Sequence, residues 1–206
     1  MRYRTFKVRR LVTHSPILLA LVCTMPCHVP RTAMAAESAE AGQSVPVGAR
    51  FVLETHDGRT VTDENFRGKH LVVFFGYTNC PDICPTSLQT LAMAMDSLGP
   101  LAQKVQPLFV TLDPERDSRD VLASYVASFD RRFIGLSGSR EMVERMARSY
   151  RVKHQRIEGS TPDQYSIDHT AALFHIGPDG AYLGRFPASM NSDQIAEELR
   201  KTIATN

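Results

Sequence analysis

The chain of 206 residues predicts an α/β protein: a central mixed sheet flanked by helices and preceded by an N-terminal β-hairpin. Three observations carry this reading. Two apolar runs, residues 71–75 (LVVFF) and 107–112 (PLFVTL), have the length and composition of strands buried on both faces. Segments with apolar residues at helical spacing alternate with them, which gives parallel strands covered by helices. Asp-Gly turns near both ends of this block, at Asp57-Gly58 and Asp179-Gly180, mark hairpins that add antiparallel strands.

In chain order, residues 1–35 hold six Arg and Lys and no Asp or Glu, five of the six within the first ten positions. A short apolar core at 17–23 and the small-x-small triplet Ala33-Met34-Ala35 complete the pattern of a secretory signal peptide. That core is shorter than the roughly 20 apolar residues of a spanning helix, so an uncleaved anchor is the alternative. The protein is then exported, to the periplasm or the outer face of the inner membrane. Residues 36–48 are small and polar and read as a linker, and 49–206 as the folded domain. The formal charge of +2 belongs to the leader: without residues 1–35 there are 18 basic and 22 acidic residues, a net −4. That argues against a nucleic-acid surface and suits a protein that handles a cation or a positively charged partner.

Within the domain, 51–53 and 60–62 form the first hairpin, 65–69 a connector and 71–75 the central strand. The first helix covers 85–98, with Leu88, Leu91, Ala92, Met95 and Leu98 at helical spacing. Pro85 suits its first position, with Cys84 at the cap. Strand 107–112 ends in an acidic turn, 113–117. Helices follow at 118–129 and 139–150, with Ser118 and Ser139 as N-caps, separated by a strand at 133–136. Residues 151–168 begin as a strand and become a polar loop containing Gly159 and Pro162. Strands 170–176 and 181–186 form the second hairpin, and a helix over 192–202 closes the chain.

The chemistry gathers at Cys80 and Cys84. Once the leader is removed they are the two cysteines left of four. They occupy the turn between a buried strand and a helix, a thioredoxin-like layout. Each precedes a proline, which disfavours helical geometry in the residue before it, and a helix N-terminus favours thiolate. A disulfide across so small a loop would stabilise little, which leaves redox chemistry or metal binding. The spacing is C-x3-C, one residue wider than in disulfide oxidoreductases, and leaves room for an ion. A structural zinc site closes with four ligands. Two thiolates and one imidazole suit Cu(I) better. Met93 and Met95 read as core or helix surface rather than as soft ligands.

Five histidines follow the leader. His56 falls in a turn, His70 at the far end of the cysteine strand and His154 on a polar stretch. His169 and His175 lie on one predicted strand, about 20 Å apart, so they cannot share an ion. A strand antiparallel to the cysteine strand begins at the end where the cysteines sit, and that selects His169. Asp168 either orients its imidazole or caps the strand. The loop over about 154–168 is expected to close when His169 binds metal. The acidic turn 113–117 either guides a partner or is a plain Asp-Pro turn.

GYTNCPDICPTSL, followed by TLDPERD and YSIDHTAALFHIGPDG, closely resembles the SCO/SenC family of copper-binding assembly factors for cytochrome c oxidase, over about residues 45–206. The resemblance implies a thioredoxin-like fold and one copper ion, as Cu(I) or Cu(II), on Cys80, Cys84 and His169. It implies copper delivery to the dinuclear copper site of cytochrome c oxidase subunit II, or thiol reduction there, with a copper-donor chaperone as a further partner. Phe174-His175 replaces the family's more usual Tyr-Leu. No nucleic-acid partner is expected, and membrane contact only through an uncleaved N-terminus. From another class, a thiol–disulfide reductase would use Cys80 to attack and Cys84 to resolve, with a disulfide between them and no need of His169. A peroxide-reducing enzyme is disfavoured, because Thr78 lies only two residues before Cys80.

Overall fold

A computed structural model describes residues 47–48, 50–161 and 164–205. The expected leader, most of the linker and the turn at Pro162 lie outside the described residues. Among the described residues, nine strands and four α-helices follow one another as β1 (Val52–Thr55), β2 (Thr60–Thr62), β3 (His70–Gly76), α1 (Ile83–Leu98), β4 (Val105–Thr111), α2 (Arg119–Phe129), β5 (Ile134–Ser137), α3 (Arg140–Ser149), β6 (His154–Glu158), β7 (Tyr165–His169), β8 (Ala172–Ile176), β9 (Tyr182–Pro187) and α4 (Ser192–Thr205). Seven strands form one sheet in the order β2-β1-β5-β4-β3-β8-β9. Its middle is parallel, β5-β4-β3, and β1 and β8 join antiparallel on either side. The sheet is therefore mixed, as expected, with parallel pairing confined to its centre.

β3 is buried at every position. Successive side chains alternate between the two faces. Phe74 stacks with Phe109, which meets Tyr125 of α2. Phe75, on the other face, meets Tyr150 at the end of α3. The continuous apolar run is thus explained by two covered faces. α4 packs beside α1 through Ile195, Ala196, Leu199 and Ile203. The caps are as the sequence implied: the Ser118 and Ser139 side chains accept from the Val121 and Met142 N–H groups.

Two expectations need correction. The strand expected at the start of residues 151–168 is β6, but the polar loop expected to run on to 168 gives way at Tyr165 to β7, which pairs with β6 in a two-stranded antiparallel ribbon separate from the main sheet. His169 and His175 are not on one strand: β7 ends at His169 and β8 begins at Ala172. A polar segment buries too little apolar surface to announce itself as a strand, and the ribbon depends on contacts with the rest of the domain.

At the end of the sheet away from the cysteines, His70 and His175 are both buried, with Nδ1 of one 3.1 Å from Nε2 of the other. Burial, then the charge of the other ring, pushes His175 down to about 4; burial, then Lys104, also lowers His70. An unfolded histidine titrates near 6.5. Below that pH the unfolded chain takes up protons the folded chain refuses, so stability falls as pH drops from 6.5 toward 4 and levels off below. His175 alone should remove about 3 kcal/mol across that window. Urea unfolding at several pH values checks this: His175→Leu should flatten the acid limb, and an unchanged slope would assign the loss elsewhere.

Candidate metal and thiol site

β3 ends at Gly76, and the chain turns through Tyr77–Asp82 into α1. The helix starts at Ile83, two residues earlier than expected, with Asp82 at its N-cap. Cys84 is therefore inside the first turn and Pro85 follows it there. The missing N–H of Pro85 costs nothing, because the first helical N–H groups have no intrahelical partner. The helix overrides the extended bias that proline places on its predecessor. Cys80 stays in the turn before the helix, half-buried, while Cys84 is fully buried.

His169 reaches them from the ribbon. β8 runs antiparallel to β3, with Leu173 opposite Phe74. The residues before β8 therefore lie beyond the cysteine end of β3, as the strand argument required. The His169 ring stands edge-on to Phe74 and Tyr77. Its Nε2 is 3.3 Å from Cys84 Sγ, and its Nδ1 is 3.3 Å from the Thr170 carbonyl oxygen. With Nδ1–H donating to that carbonyl, Nε2 presents its lone pair to the sulfurs. Asp168, the residue before His169, is exposed, and the hydrogen-bond contact of the ring's Nδ1 is with the Thr170 carbonyl. One ligand atom each from Cys80, Cys84 and His169 lie within 4.8 Å of one another.

The electrostatics correct one expectation. The helix N-terminus does not make Cys84 a ready thiolate. Burial pushes its thiol far up, against a partial opposing effect of the Tyr77 backbone. Burial also lowers His169. Both shifts favour the uncharged forms, the Cys84 thiol and the neutral His169 imidazole. A cation that binds must displace the Cys84 proton.

Two of the three acids of the turn, Asp113 and Asp117, are buried, while Glu115 is exposed and pairs with Arg140 of α3. Asp117 accepts from Thr78 N–H at 3.1 Å, Thr78 Oγ1 at 2.6 Å and Thr111 Oγ1 at 2.5 Å. It ties the cysteine turn to the end of β4. Asp113 pairs with Arg116 and accepts from the Tyr165 hydroxyl at 2.7 Å. The guanidinium groups of Arg116 and Arg156 lie 3.4 and 3.6 Å from the centre of the Tyr165 ring. These contacts hold β7, and with it His169, against the rest of the domain.

The other candidates separate as the sequence suggested. Met95 is core and Met93 is exposed. His56 accepts from the Gly135 N–H. His154 departs from its reading as a polar-surface residue: it is mostly buried, opposite His169 in the ribbon and 2.9 Å from Glu144. No local sequence signal announces that pairing.

The fold and the site together define a thioredoxin-like protein that carries a dithiol and an imidazole at the carboxyl end of its central strand. The SCO1/SenC family model matches residues 39–204. The chain belongs to the SCO1/SenC family. It is 36% identical over 155 residues, 74% of its length, to the mitochondrial protein SCO1 homolog of Homo sapiens. It spans about half the length of that relative, 52%. The copper-bound structure of ScoI from Bradyrhizobium japonicum superposes with a TM-score of 0.71 at 35% identity, covering 76% of this chain and 99% of that one. The fold is shared with BsSco, a member of the Sco family of cytochrome c oxidase assembly proteins whose structure identified a disulfide switch; the TM-score is 0.61 at 22% identity, over 79% of this chain and 96% of that one.

Proposed function

We propose that this protein is a copper metallochaperone that delivers copper to the dinuclear copper site of cytochrome c oxidase subunit II. The observation that carries the reading is the convergence of Cys80, Cys84 and His169 ligand atoms within 4.8 Å. Two thiolates and an imidazole form a soft donor set suited to Cu(I). Copper is the cargo. Cys80, the more exposed thiol, meets it first; Cys84 loses its proton on binding; His169 closes the site with a lone pair already free. Transfer reverses the order by ligand exchange, one protein ligand leaving at a time. A signal at residues 1–35 and a copper site facing the periplasm fit this role. Among the described residues no helix is long and apolar enough to cross a membrane.

The same asymmetry of exposure favours a second reading, reduction of a client disulfide. Cys80 as thiolate attacks one client sulfur and forms a mixed disulfide. Cys84, deprotonated as it attacks Cys80 Sγ, releases the client dithiol and leaves a Cys80–Cys84 disulfide. An external thiol reductant would restore the pair.

Anaerobic Cu(I) titration of the reduced domain from residue 36 tests the first reading. One tight equivalent is expected, weakened by about 100-fold or more in both His169→Ala and Cys80→Ser, at 1.4 kcal/mol per tenfold. If His169→Ala binds as tightly as the parent, the histidine is not a ligand. The cysteine pair should then be assayed as a reductase.

A further inference from the structure

We propose that His154 is a further copper ligand of this chain, used while the ion passes between the Cys80–Cys84–His169 centre and solvent. The inference rests on the copper reading above. His154 and His169 are directly paired across the β6–β7 ribbon. Paired residues of antiparallel strands project to the same face, with Cβ atoms about 5 Å apart. Both residues also line one open groove, with Lys153, Gln155, Asp168 and Thr170. The groove therefore places His154 and His169 side by side at one opening to solvent.

The His154 ring is set up as a ligand. Its Nε2 lies 2.9 Å from a Glu144 carboxylate oxygen. Its Nδ1 is buried and, among the described residues, has no hydrogen-bonding partner. Buried polar nitrogens are rarely left in that state. With Nε2–H donating to Glu144, Nδ1 carries a free lone pair, the carboxylate–imidazole arrangement that orients metal-binding histidines. His154 is not part of the resting cluster of three. It acts when one of the three lets go. A bond from copper to His154 Nδ1 forms as the bond to His169 Nε2 breaks. No electron moves, and no proton need leave, because Nδ1 carries none.

The test uses the intact reduced chain and Cu(I) as the probe. His154→Gln keeps an amide donor for Glu144 but removes the imidazole. It should bind one equivalent with affinity within about threefold of the parent, yet yield copper to excess chelator about tenfold more slowly. In the His169→Ala chain, Cu(I) should move the ¹⁵N resonance of His154 Nδ1. Parental exchange rates in His154→Gln overturn the proposal. So does slowed exchange with an unmoved Nδ1 resonance, the pattern of a merely structural tether. A parent chain that binds no copper overturns the copper reading itself.

Discussion

Gly76→Ala is expected to weaken copper binding by about 100-fold or more and to destabilise the fold by about 2–3 kcal/mol. The position needs no unusual backbone conformation; what it needs is space. A methyl group at Gly76 would sit 2.7 Å from Cys84 Sγ and 3.1 Å from both Phe109 and Phe74. The two rings belong to a close-packed core and cannot retreat. The sulfur is held from behind by the first turn of α1. Relief must come from moving the helix N-terminus away from β3, which carries Cys84 out of reach of His169. Copper titration and urea unfolding of the variant check both halves. Parental affinity in Gly76→Ala would show that the close approach of strand and sulfur is not needed for the site.

Asp117→Ala should cost about 3 kcal/mol and lower copper affinity about 10–100-fold, although Asp117 is itself no ligand. Its carboxylate gathers three donors that are separated by as many as 39 positions from it. Two of the three belong to Thr78, two residues before Cys80. Removing the acceptor leaves those donors without a partner in a buried place and frees the cysteine turn. Asp117→Asn separates the two causes. Its carbonyl can accept from Thr78 N–H and Thr111 Oγ1 while its amide donates to Thr78 Oγ1, so most of the clamp survives. We expect Asp117→Asn to bind copper within about tenfold of the parent and Asp117→Ala to fall well below it. Equal losses in the two variants would mean that charge, not the clamp, is what the site uses.

These two residues mark where reading the sequence stops. Gly76 is visible as the end of an apolar run, but the sulfur it makes room for is eight residues on, across a turn. Asp117 reads as part of a polar turn. Its burial follows only once β3 and β4 lie parallel and bring Thr78 and Thr111 to the same place.

The amino-acid sequence by itself determined the order of central strands and helices, both serine caps and the placement of Cys80 and Cys84 at a strand-to-helix turn. It also selected His169, by taking it as the first residue of a strand antiparallel to the cysteine strand, although His169 ends β7 and the antiparallel partner β8 begins at Ala172. Each of these rests on a local period, a cap residue or the direction of one strand. Tertiary structure decided the rest: the β6–β7 ribbon, the burial that raises the Cys84 thiol, the Asp117 clamp, the His70–His175 pair and the Glu144–His154 contact. Those depend on which distant residues share a low-dielectric interior. Burial shifts a thiol or an imidazole by excluding water from it, and no pattern along the chain records how much water a folded neighbour will exclude.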